Sequence, residues 1–142
     1  MSTTEYEQTN PAVRLDLEPG RIVQELGYDD DVDHDLREGI EWLTGHDLVD
    51  EDYDDIADAV LLWFRAEDGD LADTLLDVVG LLPEDGAVWL LTPRPGRDGA
   101  GEPDAIEDAA RNTGLSRTPA VDVGADWEAT RLTVAGSRPS WG

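Results

Sequence analysis

With 142 residues, the chain has the length of one ordinary domain, and it contains no cysteine, which excludes disulfides, thiol nucleophiles and cysteine-ligated metals. Ten basic against 34 acidic residues give a formal net charge of -24, so direct binding to nucleic acid or to an anionic membrane is not expected. The sequence carries no apolar run as long as a membrane span and no signal-peptide pattern, so a cytoplasmic location is expected.

The chain begins with a polar stretch, and residues 1–12 are predicted to form a disordered acidic tail. This leaves residues 13–142 for a single α/β domain. A Pro-Gly turn then precedes a short apolar segment, residues 22–26, that stops at Gly27. Such an order is typical of the first strand of an α/β domain.

Residues 35–43 are predicted to form a helix, because their apolar side chains recur at the spacing of one helical face. Either Asp31 or Asp33 can cap its first turn, and Gly45 can end it. Beyond this helix, residues 48–49 are a candidate for a short edge strand.

The strongest strand signal covers residues 57–64, a continuous apolar run that suits a strand covered on both faces. A second run of this kind covers residues 87–92. Between them, residues 71–82 carry an apolar helical stripe, so the three segments predict a strand-helix-strand crossover. In this crossover Val60 and Val88 lie side by side in one sheet.

The last third of the chain starts with a turn-rich loop, residues 93–101, followed by a helix from Pro103 to Gly114. Residues 120–123 and 127–134 are predicted to form an antiparallel hairpin. The predicted fold is therefore α/β, a three-layer Rossmann-like sheet that is mostly parallel and has a C-terminal antiparallel hairpin.

Two loops follow the carboxyl ends of predicted strands, where open α/β sheets bind their ligands. The candidate ligand-binding residues on these loops are Gly27, Tyr28, Asp29, Arg94, Gly96, Arg97 and Gly99. The two arginines among them can clamp the carboxylate or phosphate of a small anionic ligand. The opposing interpretation pairs these arginines with nearby carboxylates, namely Asp98, Glu102 and Asp104.

The first of these loops lacks the features of a cofactor or metal site. A dinucleotide or adenosyl site needs a glycine-rich turn, and after Gly27 the chain continues with tyrosine and aspartates. The acidic run after it fails the calcium-loop pattern at His34 and Ile40, and helix capping explains it instead. No cofactor, metal site or catalytic residue is predicted.

Several segments resemble those of an actinobacterial family known only as a domain of unknown function. They are residues 24–33, 61–65, 89–99 and 126–132, together with the Gly-Leu-Ser that begins at Gly114. The resemblance covers nearly the whole chain after the tail.

The order of elements also resembles class I adenosylmethionine-dependent methyltransferases. Two departures accompany this resemblance. The glycine-rich turn of those enzymes does not continue at Tyr28 and Asp29, and the segment between Gly45 and Ala57 is too short for all of their intervening units. The resemblance therefore implies a trimmed Rossmann-like fold, whereas methyl transfer would be inferred by analogy alone.

These observations favour a non-catalytic binding or regulatory module whose ligand is a protein partner or a small anionic molecule. One alternative is an enzyme, either a divergent adenosylmethionine-dependent methyltransferase or one that acts on a small anionic metabolite. Another is an acidic decoy for a basic protein partner. The sequence leaves the oligomeric state open.

Overall fold

A computed structural model of the chain describes residues 12, 15, 17–82, 86–97, 99–100, 104–123 and 126–134. Of the predicted tail, only Ala12 is among them, and it is buried. Pro103, the predicted start of a helix, lies outside the described residues, as do parts of the loop that precedes it.

Within these ranges, six strands form one open sheet: β1 (Val23–Leu26), β2 (Ala59–Trp63), β3 (Ala87–Pro93), β4 (Leu115–Arg117), β5 (Val121–Asp122) and β6 (Trp127–Val134). The order across the sheet is β1-β2-β3-β6-β4, and β5 also pairs with β6. The first three strands are parallel, with Val60 beside Val88 as predicted, and β6 runs antiparallel to its neighbours. The predicted α/β fold and its terminal hairpin are confirmed, and β4 is a strand that the sequence analysis did not find.

Three α-helices in the described part of the chain accompany the sheet: α1 (His34–Thr44), α2 (Leu71–Val79) and α3 (Ala105–Thr113). The Asp33 carboxylate accepts a hydrogen bond from the Leu36 amide and so caps α1. The prediction that the second helix reaches residue 82 was wrong. Beyond α2, the backbone amides of Leu81 and Leu82 bond the carbonyl oxygens three residues earlier, as in a 3-10 turn, and no longer those four residues earlier. None of the helices in the described ranges combines the length and apolar character needed to cross a bilayer.

Helices cover both faces of the sheet, which explains the unbroken apolar run in β2. Leu61 of this strand packs in one core cluster with Leu36 and other residues of α1. Val60 packs in the other, which includes Leu75 of α2 and Ala110 of α3. Because successive side chains of a strand point to opposite faces, every residue of β2 is buried.

The chain changes direction across the sheet after β1. Val49 forms a single parallel bridge with Gln24, on the edge of β1 that faces away from β2. The edge strand predicted at residues 48–49 is reduced to this one bridge. The chain then crosses back to β2 and continues through α2 to β3. Connections that leave in opposite directions define a topological switch point, and open α/β sheets bind ligands in the crevice at such a point. A ligand site is therefore expected at the carboxyl ends of β1 and β2.

Candidate functional site

The carboxyl edge of the parallel strands carries all of the predicted site residues. Gly27, Tyr28 and Asp29 directly follow β1, and Arg94 directly follows β3. Since the two strands are parallel to β2, their ends share one rim of the sheet, as predicted. The first three residues line a cleft between β1 and α2, whereas Gly99 lines a second cleft between α2 and α3.

Gly27 is required by the packing of β1 against β2. Its φ is 79°, and a β-carbon added to it would lie 2.2 Å from the carbonyl oxygen of Trp63. Its amide faces the Glu51 carboxylate at 3.4 Å, and its carbonyl oxygen accepts a hydrogen bond from Arg65. Both polar backbone groups of Gly27 thus contact neighbouring side chains. The Glu51 carboxylate occupies the position next to the amide that a bound phosphate would take.

Arg65, which the sequence analysis missed, occupies the switch point itself. Its guanidinium is buried and donates to the carbonyl oxygens of Gly27, at 2.8 Å, and Trp63, at 3.4 Å. It also pairs with both carboxylate oxygens of Asp31 and lies 3.4 Å from Asp68. Burial acts to lower the pKa of Arg65, but the hydrogen bonds to the two carboxylates outweigh it and raise that pKa. The one available signal was its position as the basic residue that follows a buried strand at the ligand-binding edge.

A second, partly buried ion pair lies beside the first. Glu25 of β1 is only 6% exposed, and its carboxylate accepts two hydrogen bonds from Arg37 of α1, at 2.7 and 2.9 Å. The indole nitrogen of Trp63 donates a third at 2.9 Å. The hydrogen bond to Glu25 raises the pKa of Arg37, whose guanidinium also lies 4.8 Å from the ring centre of Tyr28. The buried charge of Glu25 is therefore fully paired.

Trp127 joins the two ion pairs into one network. Its ring meets that of Trp63 edge to face at 4.8 Å, and its indole nitrogen donates to the backbone oxygen of Asp31 at 3.1 Å. The Arg65 guanidinium lies 5.3 Å from its ring centre. The network thus ties the loop after β1 to β2 and β6.

Asp31 should give this network a dependence on pH. Its hydrogen bond to Arg65 lowers its pKa, so its contribution to stability is present above the unfolded-state pKa of about 3.9 and is lost as the pH falls through the lower, folded-state value. We expect Asp31→Asn to reduce the free energy of unfolding by about 1 kcal/mol at pH 7, a figure discounted for the exposure of this carboxylate. Urea titrations should show the difference from the parent protein shrinking below about pH 4. The exposed Glu38→Gln variant is the control, and a difference that stays constant with pH would contradict the assignment.

The first cleft has a volume of about 440 Å³ and is open to solvent. Four carboxylates line it, from Asp29, Glu51, Asp68 and Asp77. Among the described residues of its lining, Arg65 is the one basic residue, and that guanidinium is already paired. Apolar side chains form the rest of the wall, among them Leu26, Val78 and Leu81, with the half-exposed Tyr28 at the mouth. The cleft thus combines an apolar wall with an excess of negative charge.

Arg94 and Arg97 both lie next to acidic residues of the terminal hairpin region. Arg94 is 3.4 Å from Asp122, and Arg97 is 3.2 Å from Asp126. Of the carboxylates expected to pair with them, Asp98 and Glu102 lie outside the described residues. Gly96 takes up the left-handed backbone of a turn. Anion binding by these arginines stays a prediction, and an anion there has to compete with two carboxylates.

Metal-ligating side chains do not cluster in the described ranges, where no group of three or more has the arrangement to hold an ion. Asp31 is engaged by Arg65, and Asp33 caps α1. These two aspartates of the loop after β1 therefore have structural partners.

The family of the chain follows from comparison with known sequences. Residues 12–136 match the model of DUF3052, described as a protein of unknown function. The chain belongs to the DUF3052 family. Uncharacterised proteins of Mycobacterium tuberculosis and Mycobacterium bovis are each 45% identical to it over 130 residues, covering 92% of this chain and 82% of theirs. The predicted family resemblance is confirmed, and mycobacterial relatives agree with its actinobacterial character.

Solved structures similar to this DUF3052 protein include methyltransferases. A SAM-dependent methyltransferase from Aquifex aeolicus is 13% identical, with a TM-score of 0.53 and 94% coverage of both chains. The pyocyanin biosynthetic protein PhzM is 14% identical, with a TM-score of 0.61, covering 93% of this chain and 56% of that one. A ribosomal protein L11 methylase from Lactobacillus delbrueckii subsp. bulgaricus is 15% identical, with a TM-score of 0.53, covering 95% and 81%. At such identities the likeness shows the Rossmann-like fold alone.

Proposed function

We propose that this DUF3052 protein is a non-catalytic binding module that holds a cationic segment of a partner protein in the cleft between β1 and α2. The observation that carries the proposal is the charge of this cleft, which is lined by four carboxylates and by one guanidinium that Asp31 and Asp68 already pair. A lysine or arginine entering the cleft gains attraction from several carboxylates, whereas an anionic ligand is repelled.

The shape of the cleft suits a peptide with apolar side chains between its basic ones. Leu81 is 42% exposed and Tyr28 is 51% exposed, so both present apolar surface at the mouth of the cleft. Burying such surface favours association through the hydrophobic effect, while the carboxylates select the charge of the partner. The long-range attraction of an acidic protein also speeds the encounter with a basic one.

The same geometry argues against methyl transfer. At the switch point Arg65 is bonded to Asp31 and to the Gly27 carbonyl oxygen, and the Gly27 amide faces the carboxylate of Glu51. The methyltransferase-like fold favours an adenosylmethionine-dependent enzyme as the second candidate, and calorimetry with adenosylmethionine and adenosylhomocysteine tests it directly. We expect no binding, whereas a Kd below about 100 μM, or roughly 5.5 kcal/mol, would reverse the ranking.

A peptide titration tests the proposed partner chemistry. The probe is a short peptide of alternating arginine and leucine, compared with its glutamate-leucine counterpart. We expect only the basic peptide to bind, more weakly as salt is added. The double variant Glu51→Gln, Asp77→Asn removes two cleft carboxylates and should weaken binding about tenfold, since each exposed charge contributes about 0.5–1 kcal/mol.

The matched control removes the same charge elsewhere. Asp35 and Glu38 are exposed on α1 and do not line the cleft, so Asp35→Asn, Glu38→Gln should leave the affinity within about twofold. Equal weakening by the two double variants would mean that the peptide responds to net charge alone. In that case the cleft is not the binding site.

A further inference from the structure

A second cleft, of about 290 Å³, lies between the beginnings of α2 and α3. The segment of residues 64–70 separates it from the first cleft, since Phe64 lines both while Ala66 and Gly69 line only the second. Apolar groups dominate its wall, notably Phe64, Leu71, Pro93, Pro95 and Ile106. Its volume equals that of about ten water molecules, so it suits a ligand of roughly ten non-hydrogen atoms.

Two polar side chains line this apolar space, Thr92 and Glu128. They are directly opposite each other on β3 and β6, so they point to the same side of the sheet. Within the described part of the chain, neither the Thr92 hydroxyl nor the Glu128 carboxylate has a hydrogen-bond partner. An apolar cleft with convergent polar groups is the usual form of a small-molecule site.

The charge around Glu128 specifies the kind of ligand. Asp122 lies directly opposite it on β5, and two carboxylates facing each other across strands repel. The nearby Arg94 offsets only part of this charge, since it pairs with Asp122. Burial, reinforced by Asp122 and opposed by Arg94, raises the pKa of Glu128. A positive group placed next to Glu128 would offset both the cost of burying its charge and the repulsion from Asp122.

We propose that this cleft binds a small organic ammonium ion, with its apolar body against Phe64, Leu71 and Ile106 and its ammonium group hydrogen-bonded to the carboxylate of Glu128. The Thr92 hydroxyl supplies a second acceptor for the ammonium group. The ligand class is thus a primary or secondary amine on a compact apolar skeleton. This site is separate from the cleft proposed for the cationic peptide and does not depend on it.

Three probes of nearly equal shape test the proposal: 2-phenylethylamine, 2-phenylethanol and phenylacetate. In titrations followed by amide chemical shifts, we expect the amine to bind at least about tenfold more tightly than the alcohol, because a hydrogen bond to a charged group is stronger than a neutral one. The anion should not bind. Shifts should concentrate at the amides of Gly99, Ala100 and Ile106, which line the cleft.

Variants distinguish binding of the amine in this cleft from a general attraction of amines to an acidic protein. Glu128→Gln keeps the shape and should lower the affinity for the amine at least about tenfold, while affinity for the alcohol stays within about threefold. Ala105→Phe should block the cleft and abolish binding of both. Asp73→Asn, which removes an exposed charge from α2 outside the cleft, should change nothing. Equal binding of amine and alcohol, or equal effects of Glu128→Gln and Asp73→Asn, would overturn the proposal.

Discussion

Replacing Gly27 with alanine is expected to destabilise the protein by at least about 3 kcal/mol, or to prevent folding altogether. The added β-carbon would lie 2.2 Å from the Trp63 carbonyl oxygen, which is backbone and cannot swing aside. A side chain at φ 79° adds roughly 1–2 kcal/mol of conformational strain. Relief of the clash requires β1 and β2 to separate at the point where Arg65 bonds both of them.

Gly96→Ala is the matched control for this substitution. Gly96 also has a positive φ, of 88°, but no atom lies within 4 Å of the position of an added β-carbon. It should therefore show only the conformational strain, about 1 kcal/mol. Urea unfolding followed by tryptophan fluorescence measures both variants on the same protein. Similar losses in the two would mean that the contact between the strand ends does not decide the stability of this edge.

The sequence predicted the parts of the fold that depend on apolar periodicity. The buried runs of β2 and β3 have no charged residue to interrupt them, so their pairing could be inferred from the apolar pattern alone. The end of α2 was misjudged because Leu81 and Leu82 continue the apolar pattern, although hydrogen bonding there already follows a tighter turn. Periodicity records which side chains are apolar, and it does not record where the helical hydrogen bonds stop.

The site was predicted less well, for a physical reason. Gly27 and Arg94 lie on one rim of the sheet, as expected for residues that follow parallel strands. This could be predicted because the crossover connection fixes the direction of the strands. Which charges pair across that rim depends on contacts between residues far apart in sequence, such as Arg65 with Asp31 and Trp127 with the same loop. Arg94 illustrates the difficulty, since one of its partners, Asp122, lies on another strand and could not be inferred from nearness in sequence.

Arg65→Ala should lower the free energy of unfolding by about 3 kcal/mol, because it removes the buried donor of several hydrogen bonds, while the Asp31 and Asp68 carboxylates that it leaves behind are partly in water. The side chain is 7% exposed, and its removal leaves the carbonyl oxygens of Gly27 and Trp63 without this donor. Arg65→Lys keeps the charge but cannot reproduce the planar fork that meets Asp31 through two nitrogens, so we expect an intermediate loss of about 2 kcal/mol.

The control for this effect is Arg97→Ala, which breaks an ion pair whose two side chains are more than half exposed. That loss should stay within about 0.5 kcal/mol, because water replaces most of an exposed pair. The comparison also bears on the partner of the first cleft. If Arg65→Ala were as mild as Arg97→Ala, the guanidinium would be free to leave Asp31 and meet an anion. The preference of the cleft for a cationic segment would then lose its basis, since that preference requires Arg65 to be held by its own carboxylates.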